Sequence, residues 1–248
     1  MLCNYLTAGI LLILASFKVG WMKKKPTAIC LFLHGIAAIF TLTPGLGGLV
    51  FAIALWVGFL FIEKERPLYG RIAFAAGSLV FILSIAVSAF SIRPIATSPF
   101  TYDVFGVRID PTQRLLAWRD AIETFIQHPL FGKGVGLGVA SVRFQAPSGQ
   151  MQILTDAHNT FLSIAGQAGI LGSAAFFALL ISTLRLGLIS RIGEVTKKPI
   201  SLAMTIAFIS GIAFQGMVGS FEDARHLWVL LGLIVAASRI EVSAKADC

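Results

Sequence analysis

Apolar residues along this chain fill whole stretches rather than one helical face. Seven stretches approach the ~20 mostly apolar residues that a bilayer-crossing helix needs: residues 2–22, 27–43, 46–62, 72–92, 160–184, 200–220 and 226–240. A mixed, more polar segment separates the fourth from the fifth. The pattern predicts an all-α polytopic membrane protein in three parts. Residues 1–92 carry four N-terminal spans. Residues 93–159 form one large outer loop. Residues 160–248 carry three further spans and a short tail. The first stretch has no basic leader and no small-residue cleavage site, and lysines follow it. It reads as a span, not a cleavable signal.

Composition supports the pattern. The chain is 56% hydrophobic and 13% charged, with mean hydropathy +0.85, where soluble domains carry about 25% charge. The net charge of +8 is therefore no nucleic-acid footprint. It marks span ends. Lys23, Lys24 and Lys25, then Lys64, Arg66 and Arg71, then Arg185, Arg191, Lys197 and Lys198 occupy loops that share one side if every span crosses. Clustered cations in short loops make that side cytoplasmic. The segment 93–159 then faces outward. Cys3, Cys30 and Cys248 show no metal-ligand spacing, and no metal is expected.

The outer segment is long enough to be functional. Residues 93–107 read as irregular. Asp110 and Pro111 then form a helix start, with Asp110 as N-cap and Pro111 in the first helical position. The expected helix spans 111–127 and stops at His128-Pro129. At ~100° per residue, Arg114, Trp118, Ala121 and Phe125 share one line. Leu115, Ile122 and Ile126 lie beside it, and Gln113, Asp120, Glu123 and Gln127 lie opposite. The helix is amphipathic and interfacial. Arg114, inside the apolar arc, either reaches out past its neighbours or holds an anion. Arg119 is placed to pair with Glu123 at i+4. The run His128-Pro-Leu-Phe-Gly-Lys-Gly-Val-Gly-Leu-Gly138 has glycine at alternate positions. It is either a flexible turn or a set of backbone N–H groups offered to phosphate, assisted by Lys133. It is no nucleotide loop, because it lacks Gly-Lys-Ser/Thr and a surrounding βαβ unit.

His158 stands where the outer segment enters the fifth span. Asp156 is the expected N-cap, which puts His158 in the first helical turn. Imidazole titrates near neutral pH and suits general-base work. The plain alternative is a histidine that marks a span boundary. The turn Ser220-Phe-Glu-Asp-Ala-Arg-His-Leu-Trp228 is either an interfacial anchor or part of a polar site on the same side.

Four pieces together resemble the O-antigen ligase/polymerase family of WaaL- and Wzy-like membrane proteins. They are Arg114-x-x-x-Trp118, the run from His128 to Gly136, Ala157-His158-Asn159-Thr160-Phe161-Leu162, and Gly166-Gln-Ala-Gly-Ile-Leu-Gly172. Arg225-x-x-Trp228 is similar to the family's C-terminal pattern. The likeness is dense over 110–172 and looser to 240. It implies a GT-C-like glycosyltransferase of the bacterial inner membrane that works at the periplasmic face. The implied donor is a glycan on undecaprenyl diphosphate, and the acceptor is lipid A–core or another glycan. No nucleotide sugar, cofactor or metal is implied. The family's loop histidine falls on His158 and its loop arginine on Arg114, as catalytic residues. Trp118, Arg119, Lys133, Asn159 and Arg225 are then the expected substrate-binding residues, beside membrane lipids.

Two features depart from the family pattern. The chain looks like a C-terminal half, because members usually have more spans. The Ser-Arg pair common near an earlier span has no arginine counterpart at residues 42–48. Arg93, Arg108 or Lys133 are the candidates to replace it. The competing reading is a transporter or lipid-binding component. It would want titratable groups mid-span, where the chain offers Lys18 near an end, His34, Gln167 and Gln215.

Overall fold

The computed structural model describes residues 2–41, 43, 45–91, 102–104, 107–145, 150–189, 198–219 and 224–246. Each expected span is a helix: α1 (Leu2–Lys18), α2 (Lys24–Phe40), α3 (Gly45–Glu63), α4 (Pro67–Ala89), then, after the more polar segment, α6 (Thr160–Ile189), α7 (Lys198–Val218) and α8 (Arg225–Ala246). In a bilayer the backbone must satisfy its own N–H and C=O groups, and a helix does so within one segment. Among the described residues, four helices are long and apolar enough to cross: Gly45–Glu63, Pro67–Ala89, Thr160–Gly187 and Pro199–Val218. Cys3–Lys18 and Arg225–Ser238 are shorter apolar helices. The protein is a mostly helical, multi-pass membrane protein.

The segment between α4 and α6 departs from the all-α expectation. It holds α5 (Gln113–Gln127) and five short strands, β1 (Phe90–Ser91), β2 (Tyr102–Val104), β3 (Val107–Pro111), β4 (Val142–Gln145) and β5 (Met151–Leu154). β3 pairs antiparallel with both β1 and β2, and β4 pairs with β5. Part of the stretch expected to be irregular is thus β2, while 92–101 lies outside the described residues. The helix start also differs. Pro111 ends β3, and Thr112 is the N-cap of α5. Its hydroxyl does not cap the helix. It donates to Ala89 O at 2.8 Å, and its N–H donates to the same carbonyl at 3.0 Å. Thr112 therefore ties α5 to the end of α4, a long-range bond that a local capping rule cannot see.

The chain divides into two compact units. The first comprises Met1–Ser84, Leu179–Phe214 and Glu222–Cys248. Its apolar core includes Cys3, Ile10, Ala38 and Leu49. Small residues let α3 and α4 approach: a Cβ at Gly58 would lie 3.2 Å from Gly70 O, and one at Gly77 would meet Ala54. Such seams replace hydrophobic driving force between helices in lipid. His34 turns its Nδ1 to Cys30 O at 2.9 Å, and Lys18 pairs with Glu63. The second unit comprises Ile85–Ala178 and Gln215–Phe221, and it carries His158 and Arg114.

Candidate functional site

In the second unit, α5 lays its small residues against the segment that leads to His158. Ala117 packs with Ala140 and Val142, and Ala121 packs with Val139 and Ala157. Trp118 and Leu162 close the second cluster. The β4–β5 hairpin returns the chain to this surface, with Val142 opposite Leu154. The N–H groups of Val139 and Ala140 then both donate to Thr155 O. Asp120 accepts from Ser141 N at 2.9 Å, and Thr124 donates to Val139 O at 3.0 Å. A polar helix face and a buried alanine face thus fix the approach to residues 155–158.

His158 lies before α6, not in its first turn. The cap is Asn159, whose Oδ1 accepts from Leu162 N at 3.1 Å. Asp156 is released from capping and does something else. Its Oδ2 accepts from His158 N at 3.0 Å and lies 2.8 Å from His158 Nδ1. Its Oδ1 accepts from Ser163 Oγ at 2.7 Å. A carboxylate only accepts, so Nδ1 carries the proton. In the neutral ring Nε2 is then the acceptor. His158 holds φ at 48°, a left-handed backbone that non-glycine residues seldom adopt and that clusters at functional positions. Its side chain is 43% exposed. The result is an oriented imidazole with its basic nitrogen available.

Arg114 lies on the inner face of α5, half-buried. Burial pushes its guanidinium below the ordinary arginine pKa, because desolvation penalises the charge. Among the described residues no hydrogen bond or ion pair engages it. Trp118 Nε1 is buried and likewise lacks an acceptor among them. Arg119 is exposed and bonds Glu123 at 3.0 Å, the i+4 pair expected.

The glycine run turns several of its N–H groups to the protein itself. Lys133 N donates to Gly166 O at 2.8 Å, Gly134 N to Gln167 O at 3.0 Å, Gly132 N to His128 O, and Gly136 N to Gln167 Oε1. In return Ile170 N donates to Pro129 O at 2.8 Å. Gly166 O, Gln167 O and Ile170 N are backbone groups of α6 beside Gly169, where the helix breaks at φ 64° and ψ −159°. The loop therefore bonds to α6 at its break. Lys133 Nζ donates to Gly138 O and lines a pocket of about 270 Å³ with Asp120, Glu123 and Gln127. Asn159 is 3% exposed, and its Nδ2 donates to Met217 O at 3.4 Å. Both ends of its amide are occupied inside the protein. Arg225 is exposed at the first turn of α8, in the other unit. The turn at 220–223, Arg93, and the side chains of Arg108 and Asp110 lie outside the described residues.

Because Asn159 caps α6, Asn159→Ala should cost about 1–2 kcal/mol of stability. A thermal melt of the detergent-solubilised protein measures it. An unchanged midpoint would remove the capping role.

The family model for O-antigen ligase matches residues 29–177, more than half of the chain. The chain belongs to the O-antigen ligase family. The match takes in Arg114, the glycine loop, His158 and the break in α6, and it ends before Arg225. No curated protein and no solved structure matches the chain. The O-antigen ligase family fixes the broad class, a ligase- or polymerase-like membrane glycosyltransferase. Sequence reasoning missed two parts of its site. Ser163 sits in an apolar run and carries no signal of its own. The pairing of Asp156 with His158 was hidden by the stronger capping reading.

Proposed function

We propose that this protein transfers a glycan from undecaprenyl diphosphate to an acceptor hydroxyl at the periplasmic face of the bacterial inner membrane, as an O-antigen ligase. The observation that carries the reading is the Asp156–His158 pair, which leaves Nε2 free at a half-exposed position. Nε2 takes the proton of the acceptor hydroxyl. The oxygen attacks the anomeric carbon, and the bond from that carbon to the diphosphate oxygen breaks. The diphosphate leaves with the electron pair. Asp156 opposes the charge that develops on the imidazole. Arg114, a cation without an internal counter-ion among the described residues, steadies the departing diphosphate. Such electrostatic support is usually the largest single contribution to catalysis. The three-part organisation, with 93–159 as a periplasmic segment, belongs to the same reading. So do lipid A–core or another glycan as acceptor.

The scarcity of mid-span titratable groups opposes a transporter. His34 returns its ring to its own helix and supplies no relay.

Expression in a strain lacking its own ligase tests the function. Polymer attached to lipid A–core supports the ligase reading. Lengthening of chains without attachment shifts it to a polymerase, and neither product sinks both. Arg114→Lys should lower transfer by about 10- to 100-fold, because lysine keeps the charge but loses the bidentate fork. Full activity of Arg114→Ala would remove the diphosphate role.

A further inference from the structure

The catalytic reading uses one side of α5 and leaves the other unexplained. Asp120, Glu123 and Gln127 share a helical face. That face and the Arg114 line flank the buried Ala117–Ala121 seam on opposite sides. The polar side opens on the cavity of about 270 Å³, which it shares with Lys133, Val139, Ala140 and Ser141. Internal bonds leave much of the hydrogen-bonding capacity there unused. Asp120 Oδ2 accepts from Ser141 N, and its Oδ1 meets no donor among the described residues. Glu123 gives one oxygen to Arg119 and keeps the other. Lys133 Nζ donates to Gly138 O, which leaves two of an ammonium's three protons. The Gln127 amide makes no hydrogen bond among the described residues.

Charge decides what such a cavity takes. Asp120 and Glu123 are balanced by Lys133 and by Arg119, which is held on Glu123. An anion would meet two carboxylates, and a cation would meet Lys133. A neutral ligand whose hydroxyls each donate and accept engages carboxylate, amide and ammonium together. Val139 and Ala140 add apolar contact for the C–H face of a sugar ring. The volume lies below the ~300–1,000 Å³ of pockets for drug-sized ligands, so it fits one ring rather than a chain. The position also suits a glycan. Val139 N and Ala140 N both donate to Thr155 O, three residues before His158. Three residues of extended chain reach at most about 11 Å, so a short run of sugar units joins the cavity to the imidazole.

We propose that the cavity between the outer face of α5 and residues 139–141 is a subsite for one neutral sugar unit of a glycan substrate, with Asp120, Gln127 and Lys133 as its hydrogen-bonding groups. The identity of the ligand rests on the glycan-transfer reading. Saturation-transfer NMR on the detergent-solubilised full chain tests it, with glucose, galactose, mannose and N-acetylglucosamine as probes. Wild type and His158→Ala should both pass saturation to at least one of these sugars. Ser141→Trp, which fills the cavity, should abolish the signal, and Gln127→Ala should reduce it several-fold. Both positions are exposed, and tryptophan keeps the backbone N–H that Asp120 accepts, so neither change threatens the fold. No signal from any of the four sugars, or an equal signal from wild type and Ser141→Trp, would overturn the proposal. Binding is read without transfer, so an inactive wild type that still binds sugar at this cavity would remove the glycosyltransferase reading alone. In the transfer assay, Gln127→Ala should raise KM several-fold with kcat unchanged. A rise in donor KM assigns the subsite to the donor glycan, and a rise in acceptor KM assigns it to the acceptor. Both KM values unchanged in Ser141→Trp would also overturn it.

Discussion

His158→Ala should abolish detectable glycan transfer while leaving insertion and expression unchanged. Loss of a positioned general base costs about 100- to 10,000-fold, far beyond what a boundary marker would give. The side chain is 43% exposed, so its removal leaves no buried cavity and little reason to unfold. Asp156→Asn should cost less than His158→Ala. An amide can still accept from Nδ1, but it carries no charge to oppose a developing imidazolium. Ser163→Ala should cost least, because Asp156 keeps its two bonds to His158. The measurement is attached glycan per cell in a strain without its own ligase, normalised to protein in the membrane. Wild-type transfer by His158→Ala would refute the assignment. Equal losses for all three variants would mean that the cluster acts only as a fold element.

The helices were legible because hydrocarbon burial demands unbroken apolar runs, and few alternatives compete with a run such as 46–62. The inner face of α5 was legible in part: Arg114, Trp118 and Ala121 follow a helical period, but the buried Ala117 was not placed on that face, and Ile122 and Ile126 are exposed. The Arg119–Glu123 pair obeys a spacing rule. What stayed hidden depends on contacts distant in sequence. Thr112 was passed over because its partner, Ala89, lies beyond the reach of local capping rules. Asp156 and Asn159 are both good caps, and only the fold decides between them. The short strands carry too few residues for an alternating pattern to register. The cap of α6 was misplaced because Asp156 competed with Asn159, and with it the setting of His158.

The glycine loop leads to the second large effect. Gly132→Ala and Gly169→Ala should each destabilise the protein severely, by more than Gly136→Ala. All three glycines have left-handed φ, at 71°, 64° and 82°. Alanine there costs roughly 1–2 kcal/mol from the backbone alone. The surroundings then separate them. A Cβ at Gly132 would lie 2.2 Å from Gln167 C and 2.3 Å from Ala168 N, and one at Gly169 would lie 2.4 Å from Leu130 O. These are backbone atoms and cannot swing aside. Around Gly136 there is nothing within 4 Å. Relieving either clash pushes the loop off α6 and leaves Gly166 O, Gln167 O and Ile170 N without their partners. Each unpaired polar group in an apolar setting costs a further ~1–3 kcal/mol. Together these approach a large part of a typical folding free energy of 5–15 kcal/mol. The break lies ten residues along α6 from the Asn159 cap, so transfer should fall with stability. Thermal melts and glycan attachment, read side by side, check the order. A Gly136 variant that melts as low as the Gly132 and Gly169 variants would show that backbone strain alone governs the loop. In that case the interlock with α6 would contribute little.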